Sequence, residues 1–436
     1  MTLPPLLLLL LALSLLPVLL GWLLVGPARP WTDELAAAAG LAGLSLLLLG
    51  FVLSGRFPLY PPMPMDRVLR LHRNLALLAG LALLLLHPFL YSTPDGAAMQ
   101  RPDDPTHAQA LGLGGEGILT GMLAWLLLAL LLVTALRRAD LPWSYEAWRA
   151  WHGWSGLVMA GLAVHHALHV GRYARDPVVA AVLVAFLGLG GLSLLYVWLL
   201  RPLLLARRPW RIAALTPLAE RSWELVLEPL GHPGLSYRPG QFAWLRLATG
   251  PLSRREHPFT IASAPAEGSR LRFVVKEVGD FTRSIGRLPV GARAYVDGPH
   301  GALGQGLEGA AGLVFLCGGI GIAPALAMLR QAAAEGDGRP KLLVWGNRRP
   351  SQIFAEEELA AVPGLRIIHV LSEPPPGWQG EVGVLDSERI RRLVAAEAAA
   401  GHAFVLCGPG AMLDEARRGL RALGVPPGRI HSERFD

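Results

Sequence analysis

The sequence predicts an all-α membrane bundle of six helices, followed by a small β-barrel domain and then an α/β domain. Three observations support this fold class. Leucine and alanine runs fill the first 205 residues, short runs with strand-like alternation follow them, and a buried strand then leads through a glycine-rich turn into a helix. We therefore expect domain boundaries at 1–205, 206–303 and 304–436.

The membrane part rests on composition and segment length. Hydrophobic residues make up 52% of the 436-residue chain and charged residues only 17%, which is unusual for a soluble protein. A helix that crosses the hydrocarbon core needs about 20 apolar residues. Six segments meet this length: 3–26, 35–54, 68–90, 116–136, 148–170 and 178–200. The first has no basic region before it and no clear cleavage site, so we interpret it as a retained span rather than a signal peptide.

Arginines near the ends of these segments predict their orientation. They are concentrated in linkers 55–73 and 137–149 and after residue 200, which places those regions in the cytoplasm. Linker 91–115 carries three aspartates against one arginine and is expected to face outward. Both termini and the chain after residue 201 are then cytoplasmic, and membrane lipid surrounds the six spans.

Two other classes of protein are disfavoured. The formal net charge of +7 could indicate nucleic-acid binding, but the arginines follow the membrane topology, so we expect no nucleic-acid partner. The two cysteines, Cys317 and Cys407, are far apart and form no C-x-x-C pair. This argues against a disulfide framework and against an iron–sulfur centre.

Histidines occur at both ends of two predicted spans. His72 and His87 are separated by about 22 Å along the third span, and His152 lies about 20 Å from His165 and about 21 Å from His166 along the fifth. Each helix therefore carries one histidine near the inner boundary and another near the outer boundary. The arrangement predicts two stacked haems, each held by an imidazole pair: His72 with His152, and His87 with His165 or His166.

Helical spacing leaves the outer ligand undecided. At about 100° per residue, His166 lies about 40° from the face of His152, whereas His165 lies about 140° away. An ideal helix favours His166, but a π-bulge in the fifth span would favour His165. The alternative is that each histidine makes an ordinary interhelical hydrogen bond. Their matched depths favour metal ligation, because ionisable groups inside a membrane are costly.

The barrel region contains two motifs that fit a flat ligand with a phosphate arm. The segment HPFTIAS, residues 257–263, predicts a strand that lays its backbone and Thr260 along such a ligand, although a polar edge strand is the alternative. In the following GDFTRSIG, Gly279 permits a tight turn and Asp280 and Thr282 can begin a helix. Exposed N–H groups at that start, with Arg283 beside them, suit a pyrophosphate.

The α/β domain opens with a nucleotide-binding pattern. The buried strand 312–317 leads into glycines that include Gly319 and Gly321, and a helix begins near Pro324. This layout brings a dinucleotide phosphate against a helix N-terminus. Pro324 occupies the position of the third glycine in the usual G-x-G-x-x-G, so the match is incomplete.

Basic residues at the end of the next strand predict the nucleotide. Arg348 and Arg349 stand where NAD sites usually have an acidic residue, which favours NADPH over NADH; a solvated basic turn is the alternative. A later strand ends in a close turn at Cys407, a residue that alone indicates a buried small hydrophobe. Phe435, one residue from the end of the sequence, has no obvious core role.

Taken together, these motifs resemble a known superfamily. HPFTIAS, VVKEVGDFTRSIG, DGPHG, CGGIGIAP, WGNR and LCGPGAM are similar to segments of bacterial members of the NADPH oxidase and ferric reductase superfamily. The likeness covers nearly the whole chain after about residue 35. It implies a bacterial inner-membrane protein with a ferric reductase-like haem domain, an FAD-binding β-barrel domain and an NADPH-binding α/β domain of the ferredoxin–NADP reductase type.

The resemblance also implies roles for individual residues. Those expected to contact the flavin or its phosphate arm are His257, Pro258, Phe259, Thr260, Lys276, Gly279, Asp280 and Thr282. Those expected around NADPH are Gly319, Gly321, Pro324, Arg348, Cys407, Gly408 and Pro409. Glu433 and Phe435 would lie by the isoalloxazine, and Thr260, Cys407 and Phe435 are the implied catalytic residues. The two haem histidines of one helix are closer together in the family than His72 and His87 are here, so the third span departs slightly from the family pattern.

The implied activity is electron transfer from cytoplasmic NADPH through FAD and two b-type haems to an acceptor across the membrane. Dioxygen, reduced to superoxide, is the first acceptor considered; a ferric chelate, another metal or a partner redox protein is the alternative, and the motifs do not separate them. A hypothesis from another class is a nucleotide-sensing membrane channel whose histidines carry protons, which would contain no haem. No particular protein partner is predicted.

Overall fold

The computed structural model describes residues 5–27, 29–57, 65–92 and 116–433. The chain divides into two compact units by its internal contacts. Among the described residues, the first unit comprises those up to 57 together with 67–201, and the second comprises 65–66 together with 202–433.

Eight α-helices and two π-helical segments occur between residues 5 and 206 of the described chain. In order they are α1 (Pro5–Leu24), α2 (Trp31–Leu53), α3 (Met65–Gly80), a π-helix (Leu81–Leu86), α4 (His87–Ser92), α5 (Glu116–Leu136), α6 (Tyr145–Val170), α7 (Pro177–Leu195), a π-helix (Tyr196–Leu200) and α8 (Arg201–Ala206). Helix α6 is capped at its N-terminus by Ser144, whose hydroxyl accepts a hydrogen bond from the Ala147 N–H. Helix α7 is capped by Asp176, whose carboxylate accepts hydrogen bonds from two backbone N–H groups.

Five helical stretches in the described residues are long and apolar enough to cross a membrane: Pro5–Leu24, Trp31–Leu53, Arg67–Tyr91, Gly117–Leu136 and Pro177–Ala206. The remaining expected span, 148–170, lies within α6, which has 26 residues. Its histidines and tryptophans lower its hydropathy below that of the other five. Length and composition alone therefore support five spans directly.

Many apolar side chains of the first unit point outward. Leu23 is 80% exposed and Leu126 is 57% exposed, as suits a surface that faces lipid acyl chains. Helix α2 provides much of the interior, where Ala36 and Leu48 are fully buried. The helices thus pack around α2 and present leucines to the surroundings.

The second unit begins with a six-stranded antiparallel sheet. Its strands are β1 (Trp210–Ala219), β2 (Ser222–Pro229), β3 (Phe242–Leu247), β4 (His257–Thr260), β5 (Leu271–Lys276) and β6 (Arg293–His300), in the order β4-β3-β6-β1-β2-β5. The one-turn helix α9 (Asp280–Arg283) follows β5. A β-barrel was expected here; the two edges of the sheet meet through an isolated bridge between Ile261 and Phe273, short of a full ladder.

A six-stranded parallel sheet forms the rest of the second unit. Its strands are β7 (Leu313–Gly318), β8 (Lys341–Asn347), β9 (Leu365–Leu371), β10 (Glu381–Val382), β11 (Ala403–Cys407) and β12 (Ile430–Ser432), in the order β10-β9-β8-β7-β11-β12. The helices are α10 (Ala323–Glu335), α11 (Glu356–Ala360), α12 (Ser387–Ala399) and α13 (Gly410–Ala422).

Alternate residues of the central parallel strands enter two different cores. Phe315 on β7 packs in the same core as Leu326 of α10. Its neighbour Val314 packs in another core with Ile390 of α12 and Leu413 of α13. Helices therefore cover both faces of the sheet, which explains why its strands are almost uniformly hydrophobic.

Candidate functional site

The parallel sheet has a crevice at its topological switch point. The chain runs from β7 outward through β8, β9 and β10, and then returns to the other side of β7 as β11 and β12. Dinucleotides bind at such a point, beyond the carboxyl ends of the strands. The loops after β7 and β11 therefore define the candidate nucleotide site.

Two glycines determine the close approach of these loops. Gly319 has a φ of +53°, a conformation that favours glycine. A Cβ on Gly321 would lie 2.3 Å from the carbonyl oxygen of Cys407, so no larger residue fits without moving β11. Pro324 lies in the first turn of α10, where its missing N–H costs nothing because that group has no intrahelical partner.

A cationic side chain from the antiparallel sheet reaches the same turn. The Nζ atom of Lys276 lies 3.9 Å from the position that a Cβ would take on Gly319. The resemblance implies that Lys276 holds the flavin arm, and its ammonium also lies beside the nucleotide turn. Burial lowers the pKa of Lys276, and the charge of Arg348 lowers it further. A phosphate bound between these cations would offset both effects.

An acidic residue that the sequence analysis missed accompanies the arginines after β8. Glu373 follows β9, and its carboxylate lies 3.3 Å from Nε of Arg348 and 2.9 Å from Nε of Arg349. It escaped notice because it belongs to a different strand from the two arginines. An acid at this place can bind the ribose hydroxyls of NADH, whereas the arginines suit the 2′-phosphate of NADPH.

The expected flavin strand lies at the edge of the antiparallel sheet. Thr260 pairs with Phe242 of β3, and His257 pairs with Leu245. The His257 ring stacks on Phe281 with centroids 4.0 Å apart and planes 15° apart. Phe259 is half-buried and Pro258 is exposed. The strand thus offers a row of partly open side chains.

The phosphate-arm motif forms a compact turn held by a side chain. The hydroxyl of Thr282 accepts hydrogen bonds from the N–H groups of Val278 and Gly279, each at 2.9 Å. Gly279 has a φ of −98°, and a Cβ there would meet nothing within 4 Å. The turn itself therefore does not require glycine, in contrast to the sequence expectation. The Asp280 side chain is fully exposed.

Cys407 and Glu433 are buried near the switch point. Cys407 is 2% exposed, and burial, followed by the charge of Glu433, raises the pKa of its thiol to about 12. Gly301 has a φ of +88° and approaches the Glu433 carboxylate, since a Cβ on Gly301 would be 2.8 Å from Oε2 of Glu433.

The turn after β11 packs closely against the end of β7. A Cβ on Gly408 would lie 3.0 Å from the backbone nitrogen of Gly318, and the ring of Pro409 also packs against Gly318. Phe435 lies outside the described residues.

The first unit brings four of the five candidate histidines together as two pairs. The first histidine pair, His72 and His152, has ring centroids 6.3 Å apart. The second histidine pair, His87 and His166, has centroids 6.4 Å apart. A metal–nitrogen bond of about 2 Å, with about 1 Å from nitrogen to ring centre, separates opposed imidazole centres by about 6 Å. Both pairs therefore fit one iron between their rings.

Hydrogen bonds orient most of these rings as metal ligands. Nδ1 of His72 lies 3.1 Å from the carbonyl oxygen of Gly50. Nδ1 of His87 lies 2.9 Å from the carbonyl oxygen of Ala36, and Nδ1 of His166 lies 2.8 Å from that of Gly117. A carbonyl only accepts, so each Nδ1 donates and Nε2 keeps its lone pair for a metal.

Other neighbours position the rings by contact. His152 stacks on Trp148, with planes 18° apart. A Cβ on Gly40 would lie 2.7 Å from Nδ1 of His87, so this glycine makes room for the ring. Among the described residues, no group of three or more His, Cys, Asp or Glu side chains could hold a bare metal ion. A haem needs only two protein ligands for each iron, so the histidine pairs fit it.

A π-helix explains the wide spacing between His72 and His87 in the third span. The segment Leu81–Leu86 is π-helical and lies between these two histidines. Such a segment takes up an extra residue, so His87 returns to the face of His72. Helix α6 remains α-helical from Tyr145 to Val170. The π-bulge considered for the fifth span thus occurs in the third instead, and His166, not His165, faces His87.

Comparisons with known protein families match both the helical unit and the unit that contains the two sheets. Residues 39–163 match the family model of the ferric reductase like transmembrane component. Residues 229–302 match an FAD-binding domain, and residues 315–418 match the oxidoreductase NAD-binding domain.

Similar proteins are reductases. Ferredoxin–NADP reductase B of Sorangium cellulosum is 30% identical over 237 residues, which cover 52% of this chain and 96% of that protein. The reductase component of propane 2-monooxygenase from Rhodococcus jostii is 28% identical over 236 residues, and the match spans 52% of this chain and 62% of that relative. The crystal structure of an Amycolatopsis cytochrome P450 reductase matches with 25% identity and a TM-score of 0.46, covering 52% of this chain and 69% of that one.

Fold and site define a membrane-embedded oxidoreductase with FAD-binding and NAD(P)H-binding domains. The chain belongs to the ferric reductase and NADPH oxidase-type superfamily, and its second unit is of the ferredoxin–NADP reductase type. This combination of domains supports NAD(P)H-driven electron transfer.

Proposed function

We propose that the protein transfers electrons from cytoplasmic NADPH, by way of FAD and two b-type haems, to an acceptor on the opposite side of the membrane. The observation that carries the proposal is the pair of imidazole contacts at two depths of the first unit, 6.3 and 6.4 Å between ring centroids. All four rings are half-buried, and ionisable side chains that face each other inside a membrane are costly unless something binds between them.

The nucleotide site is proposed to hold NADPH through loop backbone and cations. Gly319 and Gly321 let the pyrophosphate approach the N-terminus of α10, which begins at Ala323 and contains Pro324. Lys276 and Arg348 supply positive charge, Arg348 at the 2′-phosphate. Because Glu373 also contacts Arg348, NADH is a second candidate nucleotide.

The flavin site is proposed to lie along β4 and the turn after β5. The side chains and backbone of His257, Pro258, Phe259 and Thr260 would contact the ring. Lys276, Gly279, Asp280 and Thr282 would hold the arm. Cys407, Gly408 and Pro409 would border the nicotinamide, where a neutral buried thiol adds no charge. Glu433 and Phe435 would lie on the other side. FAD accepts two electrons as a hydride and releases them singly, and haem carries one electron at a time.

The acceptor is proposed to be dioxygen, which would give superoxide. His72 with His152, and His87 with His166, would each hold one haem iron, and the haems would supply single-electron transfer to an acceptor that does not ligate the metal. A ferric chelate or a partner redox protein is the second candidate, since the Rhodococcus relative is named as a reductase component.

We place the protein in the bacterial inner membrane with six spans and cytoplasmic termini. Helix α6 is proposed as the additional span, because it is 26 residues long and carries a member of each histidine pair. The proposed domains are 1–205 for haem, 206–303 for FAD and 304–436 for NADPH.

The test is an anaerobic absorbance spectrum of the purified protein with FAD, recorded before and after NADPH and then after air or ferric citrate. Reduced b-type haem bands are expected after NADPH. His166→Ala is expected to remove about half of the haem, because each pair holds one. His165→Ala is the matched control and should keep both haems.

Three outcomes would change the proposal. A colourless protein would overturn haem binding and favour the channel hypothesis. Bands that do not respond to NADPH would overturn the electron route. Reoxidation by ferric citrate but not by air would replace dioxygen with a metal acceptor.

A further inference from the structure

Two histidines at the end of α6 form a separate pair. His165 and His169 are one helical turn apart, so they lie on one face of the helix. Their rings are stacked, with centroids 3.9 Å and planes 18° apart. His165 is half-buried and His169 is exposed. The second histidine pair does not use either ring, since His166 faces His87.

Hydrogen bonds assign the protons of both rings. Nδ1 of His169 lies 2.9 Å from the His165 carbonyl oxygen, which can only accept, so Nδ1 is the donor. The Thr120 hydroxyl donates to the Gly117 carbonyl oxygen at 3.0 Å. Its oxygen therefore accepts from Nδ1 of His165 at 3.1 Å. Each neutral ring then has its lone pair on Nε2.

We propose that His165 and His169 form a binding site for a divalent transition-metal cation, with cupric ion bound most tightly. Two histidines at this spacing on one helical face are a known zinc-binding arrangement, and imidazole suits zinc, copper and nickel. Within the described residues, no third His, Cys, Asp or Glu completes a larger cluster. Water or a small chelator would fill the remaining positions of the ion.

The nitrogen ligands make the site selective. The guanidinium of Arg175 donates from Nη2 to the His169 carbonyl oxygen at 2.7 Å, which holds the last turn in place without adding an oxygen ligand. Calcium and magnesium depend on oxygen ligands and negative charge, so they are disfavoured here. Copper, zinc and nickel form bonds to neutral nitrogen and tolerate this environment.

The site is distinct from the proposed haem sites and goes beyond the proposed function. His169 follows His166 by about 4.5 Å along the helix axis. A bound cation would therefore lie at the same end of α6 as the second histidine pair. Its binding depends on neither flavin nor nucleotide.

The experiment is a titration of the chelator-stripped, air-oxidised full chain in detergent with Cu(II), followed by electron paramagnetic resonance. We expect one tight equivalent whose spectrum shows nitrogen superhyperfine splitting. His169→Gln and His165→Gln should each weaken copper binding about tenfold or more, as expected for losing a ligand. His232→Gln is the matched control, because that ring bonds to the Pro209 carbonyl oxygen in the second unit.

The haem absorbance spectrum checks that each variant is folded. Thr120→Val removes the hydroxyl that orients His165 and should also weaken copper binding while leaving both imidazoles present. The proposal is wrong if the wild type shows no nitrogen splitting, or if His169→Gln binds copper as tightly as the wild type does. It also fails if Ca(II) displaces Cu(II) at equal concentration.

Discussion

At the residue scale, we propose that single side chains determine which nucleotide the crevice holds. Arg348 is 65% exposed in its side chain and therefore accessible to a phosphate, yet Glu373 shares its carboxylate between Arg348 and Arg349. Exposed ion pairs of this kind are weak, so a phosphate can displace the carboxylate. The balance between the Glu373 carboxylate and the two arginines would then set the preference between NADPH and NADH.

Arg348→Gln is expected to raise the KM for NADPH roughly tenfold or more while leaving the KM for NADH nearly unchanged, since a charged hydrogen bond contributes about 1.5–3 kcal/mol. Glu373→Gln is the matched variant and should raise the KM for NADH instead. Steady-state reduction of ferricyanide measures both. If neither variant changes the ratio of the two KM values, the 2′-phosphate does not bind at Arg348.

The two cysteines are expected to be unreactive in the folded protein. They lie side by side on β7 and β11, and both are buried. Burial raises the pKa of both thiols, that of Cys407 to about 12. At pH 8.5 the folded thiols are therefore protonated, whereas an unfolded cysteine has a pKa of about 8.5. Iodoacetamide counted by mass spectrometry should label neither cysteine in native protein and both in urea; labelling of native Cys407 would contradict its burial.

At the scale of elements, the π-helix Leu81–Leu86 matters most. It separates His72 from His87, and the Leu84 carbonyl oxygen accepts a hydrogen bond from the Trp125 indole at 3.1 Å. That bond satisfies a backbone group within a helix that faces lipid. The segment allows two histidines with this wide sequence spacing to share one face.

Deletion of Leu85, which is 61% exposed, should let this segment become α-helical and keep both haems. Insertion of one alanine after Leu85 should turn His87 by about 100° and move it about 1.5 Å, so that one haem is lost. A pyridine haemochrome assay measures the haem content per chain of both variants. Loss of haem from the deletion variant alone would show that the π-helix is itself required.

At the scale of the whole molecule, the chain separates into a helical unit and a reductase unit. Each has its own hydrophobic cores: Leu48 and Leu183 belong to one in the first unit, and Phe315 and Leu326 to one in the second. Units with independent cores are expected to fold independently.

A fragment of residues 202–436 should therefore be soluble, bind FAD and reduce ferricyanide with NADPH, without haem absorbance. Its relative from Sorangium cellulosum is matched over 96% of its length by this chain, which supports an independent reductase fold. FAD content and ferricyanide reduction measure the outcome. An insoluble or flavin-free fragment would mean that the helical unit is needed for the reductase to fold.

The sequence alone determined the features that depend on local pattern. Leucine runs predicted apolar helices, alternating residues predicted the antiparallel strands, and the order strand, glycine turn, helix placed Gly319 and Gly321 at the nucleotide loop. The depth of the histidines along the third and fifth spans could also be predicted, because the helical rise per residue is constant. These features follow from backbone geometry and from the partition of apolar side chains out of water.

The tertiary structure decided what depends on contacts between elements. Glu373 joins Arg348 only because β9 pairs beside β8, and the ammonium of Lys276 reaches Gly319 from a different sheet. His166 rather than His165 faces His87 because a π-helix corrects the third span while α6 stays regular. A shift of one residue turns a helical side chain by about 100°. Only packing against a second helix therefore determines which of the two adjacent histidines faces His87.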